Sequence, residues 1–169
     1  MAIRRIITEE DELLRKVSKP VTVFDSNLAT LLDDMFQTMH KSEGAGLAGV
    51  QVGVLKRLFV MKAGKESYEC INPVILKQEG SNNIKIEGCL SIPGKCGIVE
   101  RPAKVWVKFQ DRTGKEISKK FTGFEAKCFC HESDHLDGIL YSDKATKMFK
   151  DRNEYAKYEQ KQSGGKKWE

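Results

Sequence analysis

No apolar run in this 169-residue chain approaches the roughly 20 residues that a membrane-spanning helix needs. The opening residues, MAIRRIITEE, carry charge but no continuous apolar stretch of the kind a secretory signal requires, so the expected location is the cytoplasm. Cysteines number five, an odd count that argues against a disulfide framework in such a chain and points to free thiols or metal ligands. Internal repeats and strong linkers before the C-terminal tail are missing. Lysines and arginines are not interleaved with aromatics in the manner of a dedicated RNA-binding module. Histidine is scarce, with three in all, and two of them stand four residues apart.

What is present fits a single globular domain. Hydrophobic residues make up 40% and charged residues 31% of the chain, outside the range of disordered sequences. The length is enough to bury a core. The net charge is +5, and residues 144–169, with eight Lys/Arg against four Asp/Glu, contribute +4 of it. A solvated, partly frayed helix explains such a tail. The sharper alternative is contact with a polyanion such as RNA.

The clearest helix covers residues 26–40. Leu28, Leu31, Leu32, Met35, Phe36 and Met39 repeat at i, i+3, i+4 and give one broad apolar face. Asp25 or Ser26 caps its start, Gly44 follows its end, and His40 in the last turn suits the helix dipole better than a metal. The middle of the chain reads as strands. Leu58 to Met61 is a short apolar run, and Asn72-Pro73 reads as a break before Val74-Ile75-Leu76. Val105, Val107 and Phe109 alternate with polar-side neighbours, Asp111-Arg112-Thr113-Gly114 reads as a hairpin turn, and residues 117–122 form the return strand. Helical character begins after Gly123. The expected fold is α+β: mostly antiparallel sheets around a central helix, with an N-terminal helix and a C-terminal helical tail. Residues 1–150 are read as the catalytic unit and 151–169 as the tail.

That central helix carries CFCHESDHLDG, residues 128–138. His131 and His135, one turn apart, share a face and can bind one cation at ~2.0–2.1 Å. Glu132, beside the first, can take a proton from water activated there. A closed site built from Cys128, Cys130, His131 and His135 fails on geometry. Cys128 and His135 are ~10.5 Å apart along a helix, and Cys130 is rotated ~100° from His131. The two local cysteines are therefore expected in the core. The third ligand comes from Cys70, Cys89 or Cys96. Spacing does not choose among them, but Glu87-Gly88-Cys89-Leu90-Ser91 favours Cys89, because Gly88 permits close backbone approach. A Cys/His/His set leaves one position for water, the mark of a catalytic site.

These residues resemble the peptide deformylase family, whose three motifs appear in order. Gly44-Ala45-Gly46-Leu47-Ala48-Gly49-Val50-Gln51 resembles the first, Glu87-Gly88-Cys89-Leu90-Ser91 the second, and His131-Glu132-Ser133-Asp134-His135-Leu136-Asp137-Gly138 the third. The resemblance covers roughly residues 3–150. It implies one divalent metal, natively Fe2+ with Zn2+ or Ni2+ possible in purified protein, held by Cys89, His131 and His135. It implies that the substrate is the N-formyl-methionyl end of a nascent polypeptide, with formate as product. Glu132 is implied as the base, and Gln51 with the Leu90 N–H as oxyanion donors. On the substrate side it suggests Gly46 through its main chain, Phe124 and Cys128 around the methionine side chain, and Glu87, which pairs with Arg101 to steady the cysteine loop. The protein is expected to be a monomer, with a ribosome contact through the basic tail and no membrane partner.

Three positions depart from the family pattern. Cys130 stands where glutamine is usual and cannot reproduce an amide's hydrogen bonds. Ser133 replaces a bulky apolar residue, which thins the packing behind the helix. Gly49 replaces alanine, which predicts a looser first loop. Two alternatives remain. A zinc endopeptidase shares the His-Glu-x-x-His helix but takes its third ligand as His or Glu. A non-catalytic relative that binds nascent chains or the ribosome would account for the basic tail and the three departures.

Overall fold

Helix α1 forms where the apolar spacing places it. In the structure, a computed structural model that describes residues 2–164, α1 spans Ser26–Lys41. The Asp25 carboxylate caps it by accepting from the Leu28 N–H at 3.0 Å, satisfying one of the free donors of the first turn. Leu28, Leu31, Leu32, Met35 and Met39 are buried, Phe36 packs half-buried at the rim, and His40 is exposed.

The strands make two antiparallel sheets. The larger has the order β1 (Gly46–Ala48), β2 (Leu58–Ala63), β3 (Glu66–Glu79), β6 (Lys104–Gln110), β7 (Glu116–Thr122). The smaller has the order β4 (Ile86–Cys89), β5 (Ile92–Ile98), β8 (Lys147–Phe149). The expected hairpin is present: Asp111 accepts from the Gly114 N–H at 2.9 Å, and Gly114 takes a positive φ of 86°. The expected break at Asn72-Pro73 is not a break. Strand β3 runs through it, with a register shift between Ile71 and Val74. A bulge there tolerates the missing proline N–H. Asn72, at φ 52°, is anchored by side-chain hydrogen bonds to both the N–H and the carbonyl of Val21.

Helix α2 (Gly123–Leu136) crosses one face of the larger sheet, and α1 covers part of the other. Strand β2 is therefore buried on both sides, which explains why its residues are an unbroken apolar run rather than an alternation. Phe59 and Met61 pack toward α2, Leu58 and Val60 toward α1. Phe129 of α2 is the centre of the first cluster. Its ring meets Phe59 edge-on at 5.1 Å and lies 5.7 Å from Phe121 and 6.3 Å from Phe109.

After α2 come the short α3 (Tyr141–Lys144), β8, and α4 (Arg152–Gly164). No residue of α4 is buried, as expected of a solvated tail. It is tied down by Tyr155 and Tyr158, whose rings lie 5.3 and 5.2 Å from Phe149. The final residues of the expected tail, 165–169, lie outside the described residues. Among the described residues no helix is long and apolar enough to cross a membrane. Phe129→Ala should lower unfolding stability by about 3–5 kcal/mol, through lost burial plus the cavity left among three rings, measured by chemical denaturation.

Candidate metal centre

Residues four apart on α2 share a face, so His131 and His135 point together at the β4–β5 hairpin. Cys89 ends β4 beside the two-residue turn that leads into β5. Ligand atoms of Cys89, His131 and His135 lie within 4.8 Å of one another. The fit to a cation can be tested on one distance. Two donors at ordinary zinc–sulfur and zinc–nitrogen lengths and a tetrahedral angle stand about 3.6 Å apart. Cys89 Sγ and His135 Nε2 are 3.4 Å apart. A thiolate with two imidazoles is a donor set suited to zinc or ferrous iron. Of the three cysteines left open by spacing, Cys70 is fully buried among core residues and Cys96 is not in this group, so the fold brings only Cys89 to the histidines.

His131 is oriented from behind. Its Nδ1 lies 2.7 Å from Glu87 Oε1, which leaves Nε2 facing the ligand group. Arg101 donates to both Glu87 oxygens, at 2.7 and 3.0 Å, and its third nitrogen bonds Asp134 Oδ2 at 2.7 Å. Burial raises the Glu87 pKa, but hydrogen bonds from His131 and Arg101 outweigh it and hold the carboxyl down at about 2. Burial alone would discharge His131. Hydrogen bonds with Cys89 and Glu87 prevail and raise its pKa to about 10. Burial pulls His135 the other way, well below its usual value, and its Nδ1 has no partner among the described residues. Glu87 borders the cavity, and its oxygens bond Arg101 and His131.

Glu132 lies beside these residues, with Oε1 3.9 Å from His131 Nε2 and Oε2 buried without a partner among the described residues. Burial pushes its pKa up to about 7. The carboxylate reaches this place because Gly46 of β1 has no side chain. A Cβ there would stand 2.6 Å from Glu132 Oε1. Gln51, in a 3-10 turn (Gly49–Val52), is locked at both ends of its amide. Its Oε1 accepts from the Ala48 N–H at 2.9 Å, and its Nε2 donates to Ser91 Oγ at 3.0 Å and lies 3.6 Å from Cys89 Sγ. The N-terminal segment ties these loops together, since Ile7 N–H donates to the Gln51 carbonyl and Glu9 N–H to the Ser91 carbonyl. The Leu90 N–H, in the β4–β5 turn, has no partner among the described residues.

A cavity of about 640 Å³ opens beside these groups, bordered by Gly46, Gln51, Leu90, Phe124 and Cys128. Cys130 is buried in the α2 cluster and burial pushes its pKa up to about 11, so it packs rather than ligates. The hydroxyl of Ser133 is buried without a partner among the described residues. The looser loop expected at Gly49 is not found. Val54 and Lys56 carbonyls fold over it, and a Cβ at Gly49 would meet them at 3.0 and 3.2 Å. Several contributors escaped the sequence reading. Ser91 lies within a quoted motif but had no role, and Asp134 lies between the histidines. Tyr141, whose ring stacks 6.0 Å from His131, carries no local signal.

A helix-borne His-Glu-x-x-His joined by a thiolate from a separate hairpin is the arrangement of a metal-dependent hydrolase. A sequence model of the family described as polypeptide deformylase matches residues 3–151. A peptide deformylase of Caldicellulosiruptor bescii is 50% identical over 167 residues, 99% of this chain and 98% of that protein. One of Acetivibrio thermocellus is 52% identical over 148 residues, 88% of this chain and 86% of that one. The crystal structure of the Thermotoga maritima peptide deformylase superposes with a TM-score of 0.84 at 39% identity, covering 87% of this chain and all of that one. The chain belongs to the peptide deformylase family.

Gly46→Ala should displace the Glu132 carboxylate and cut turnover, with metal content near wild type and stability lowered by about 1–3 kcal/mol through overpacking. Formate release, metal analysis and denaturation together check this. Glu87→Gln should weaken metal affinity by about 10–100-fold by loosening the His131 ring, measured by competition with a chelator.

Proposed function

We propose that this chain hydrolyses the N-formyl group from the formyl-methionine that begins newly made polypeptides, releasing formate and a free amino terminus. The observation that carries this is the meeting of Cys89 with His131 and His135, with the Glu132 carboxylate alongside, in a chain of this family. In this reading Cys89, His131 and His135 hold one divalent ion, Fe2+ by family resemblance, with Zn2+ or Ni2+ as replacements in purified protein. Such an ion supplies Lewis acidity, acidifying water and polarising the formyl oxygen.

The chain's own groups do the rest. Glu132 accepts the proton of the attacking water and returns it to the leaving amine as the C–N bond breaks. Gln51 Nε2 and the Leu90 N–H donate to the oxyanion, from positions set before substrate arrives. The peptide lies extended along the free edge of β1, with main-chain hydrogen bonds at Gly46. The methionine side chain enters the cavity against Phe124 and Cys128. Residues 1–150 form the catalytic unit, acting as a monomer in the cytoplasm. The basic C-terminal segment, residues 144–169 with a net charge of +4, provides the contact with the ribosome.

Anaerobically purified, iron-loaded protein should release formate from a formyl-methionyl peptide, with zinc- and nickel-loaded protein measured alongside. Glu132→Gln should lower that rate by at least ~100-fold while metal content stays constant. Full metal occupancy without formate release in the wild type would instead favour a non-catalytic binding role.

A further inference from the structure

The cavity is bordered by three cationic side chains, Lys95, Lys127 and Arg152, that hydrolysis of a neutral formamide does not require. Lys127 stands one turn before His131 on α2, on the same face, and is 5% exposed. Its ammonium donates to the Ile86 carbonyl of β4. That contact uses one of three donors, and no carboxylate of the described residues forms an ion pair with it. A buried cation left so is costly unless something else meets it.

Arg152, the first residue of α4, reaches back over β4. Its Nη2 lies 3.1 Å from where a Cβ on Gly88 would stand, so glycine there leaves room for the guanidinium one residue from Cys89. Arg152 is exposed, borders the same cavity and forms no ion pair among the described residues. Lys95 of β5 also borders it, and its only ion pair among the described residues is a loose 3.5 Å contact with Glu9. The cavity's acidic side chains are Glu132 beside the metal ligands, Glu87 committed to Arg101, and Glu43 next to Gly44 on the β1 side.

The cavity lies between β1 and β4. In the proposed pose the peptide runs between these strands, and at about 3.3 Å per residue its second and third residues come to this rim. Formyl and amide groups are neutral, and the complementary charge must come from a side chain. We infer that Arg152, together with Lys127 and Lys95, forms a carboxylate-binding rim that selects formyl-methionyl peptides bearing Asp or Glu at the second or third residue. The inference rests on the deformylase reading of the same site.

The test uses C-terminally amidated formyl-methionyl peptides with Ala, Glu or Lys at the second or third residue. At low salt the Glu peptide should exceed its Lys counterpart in kcat/KM by about fivefold at one of the two positions. The difference should lie in KM and shrink in roughly 0.5 M salt. Arg152→Ala should remove the preference and Arg152→Glu should reverse it, which a merely structural role for Arg152 would not do. Equal kcat/KM for Glu and Lys peptides, or a preference that survives Arg152→Glu, would overturn the inference. Inhibition by added formate that is relieved in Arg152→Glu, with no peptide preference, would assign the cations to the product and overturn it too. Wild-type protein that turns over the Ala peptide but shows no charge preference sinks this inference alone. Wild-type protein inactive on all the peptides sinks the deformylase reading with it.

Discussion

Arg101, 5% exposed, ties its own loop to two other segments through all three guanidinium nitrogens: two bonds to Glu87 on β4 and one to Asp134 on α2, with Glu87 passing the constraint on to His131. Lys144 of α3 reaches Asp134 as well, at 3.0 Å, so the end of α2 is braced from both sides. Charges this deeply buried are tolerable only when each is met by a partner, and losing one partner typically costs about 3–5 kcal/mol. The pair gives the site its geometry more than it gives the fold its stability. It fixes the hairpin that carries Cys89 relative to the helix that carries the histidines.

The other constraint is steric. Two glycines, Gly44 and Gly46, allow side chains to approach more closely than a Cβ would permit, and at a third, Gly88, a Cβ would make a tight contact. Gly46 admits Glu132, Gly88 admits Arg152, and Gly44 admits Leu90, whose Cδ1 would lie 2.7 Å from an added Cβ. Around them the first loop, the cysteine hairpin and the N-terminal segment are stitched by main-chain bonds at Gln51 and Ser91. Donors held this way need little rearrangement when charge develops in front of them, which is the physical basis of electrostatic preorganisation.

Much of this was legible in the sequence. The face of α1, the alternation of β6 and the hairpin at Asp111–Gly114 follow from local periodicity and turn chemistry, and they form as expected. Helix geometry alone removed Cys128 and Cys130 from the ligand set. The Asn72-Pro73 reading failed because a bulge anchored by Val21 and paired to β6 carries β3 past the proline, and pairing with a distant strand leaves no local trace. The loop at Gly49 was misjudged for a related reason. A missing side chain predicts freedom only when nothing packs into its place, and here two carbonyls do.

The sequence by itself determined the type of the main elements, the two histidines with their neighbouring glutamate on one helical face, and the exclusion of Cys128 and Cys130 from the ligand set. Those are consequences of spacing along a single element, and spacing is written in the chain. Only the tertiary structure decided that Cys89, rather than Cys70 or Cys96, meets them. It also decided that Glu87 serves His131, that Ser91 holds Gln51, and that Lys127 and Arg152 converge on the cavity. Each of these joins residues from different elements, up to 64 positions apart between Gly88 and Arg152. Distance along the chain says nothing about such meetings until the sheets and helices have packed.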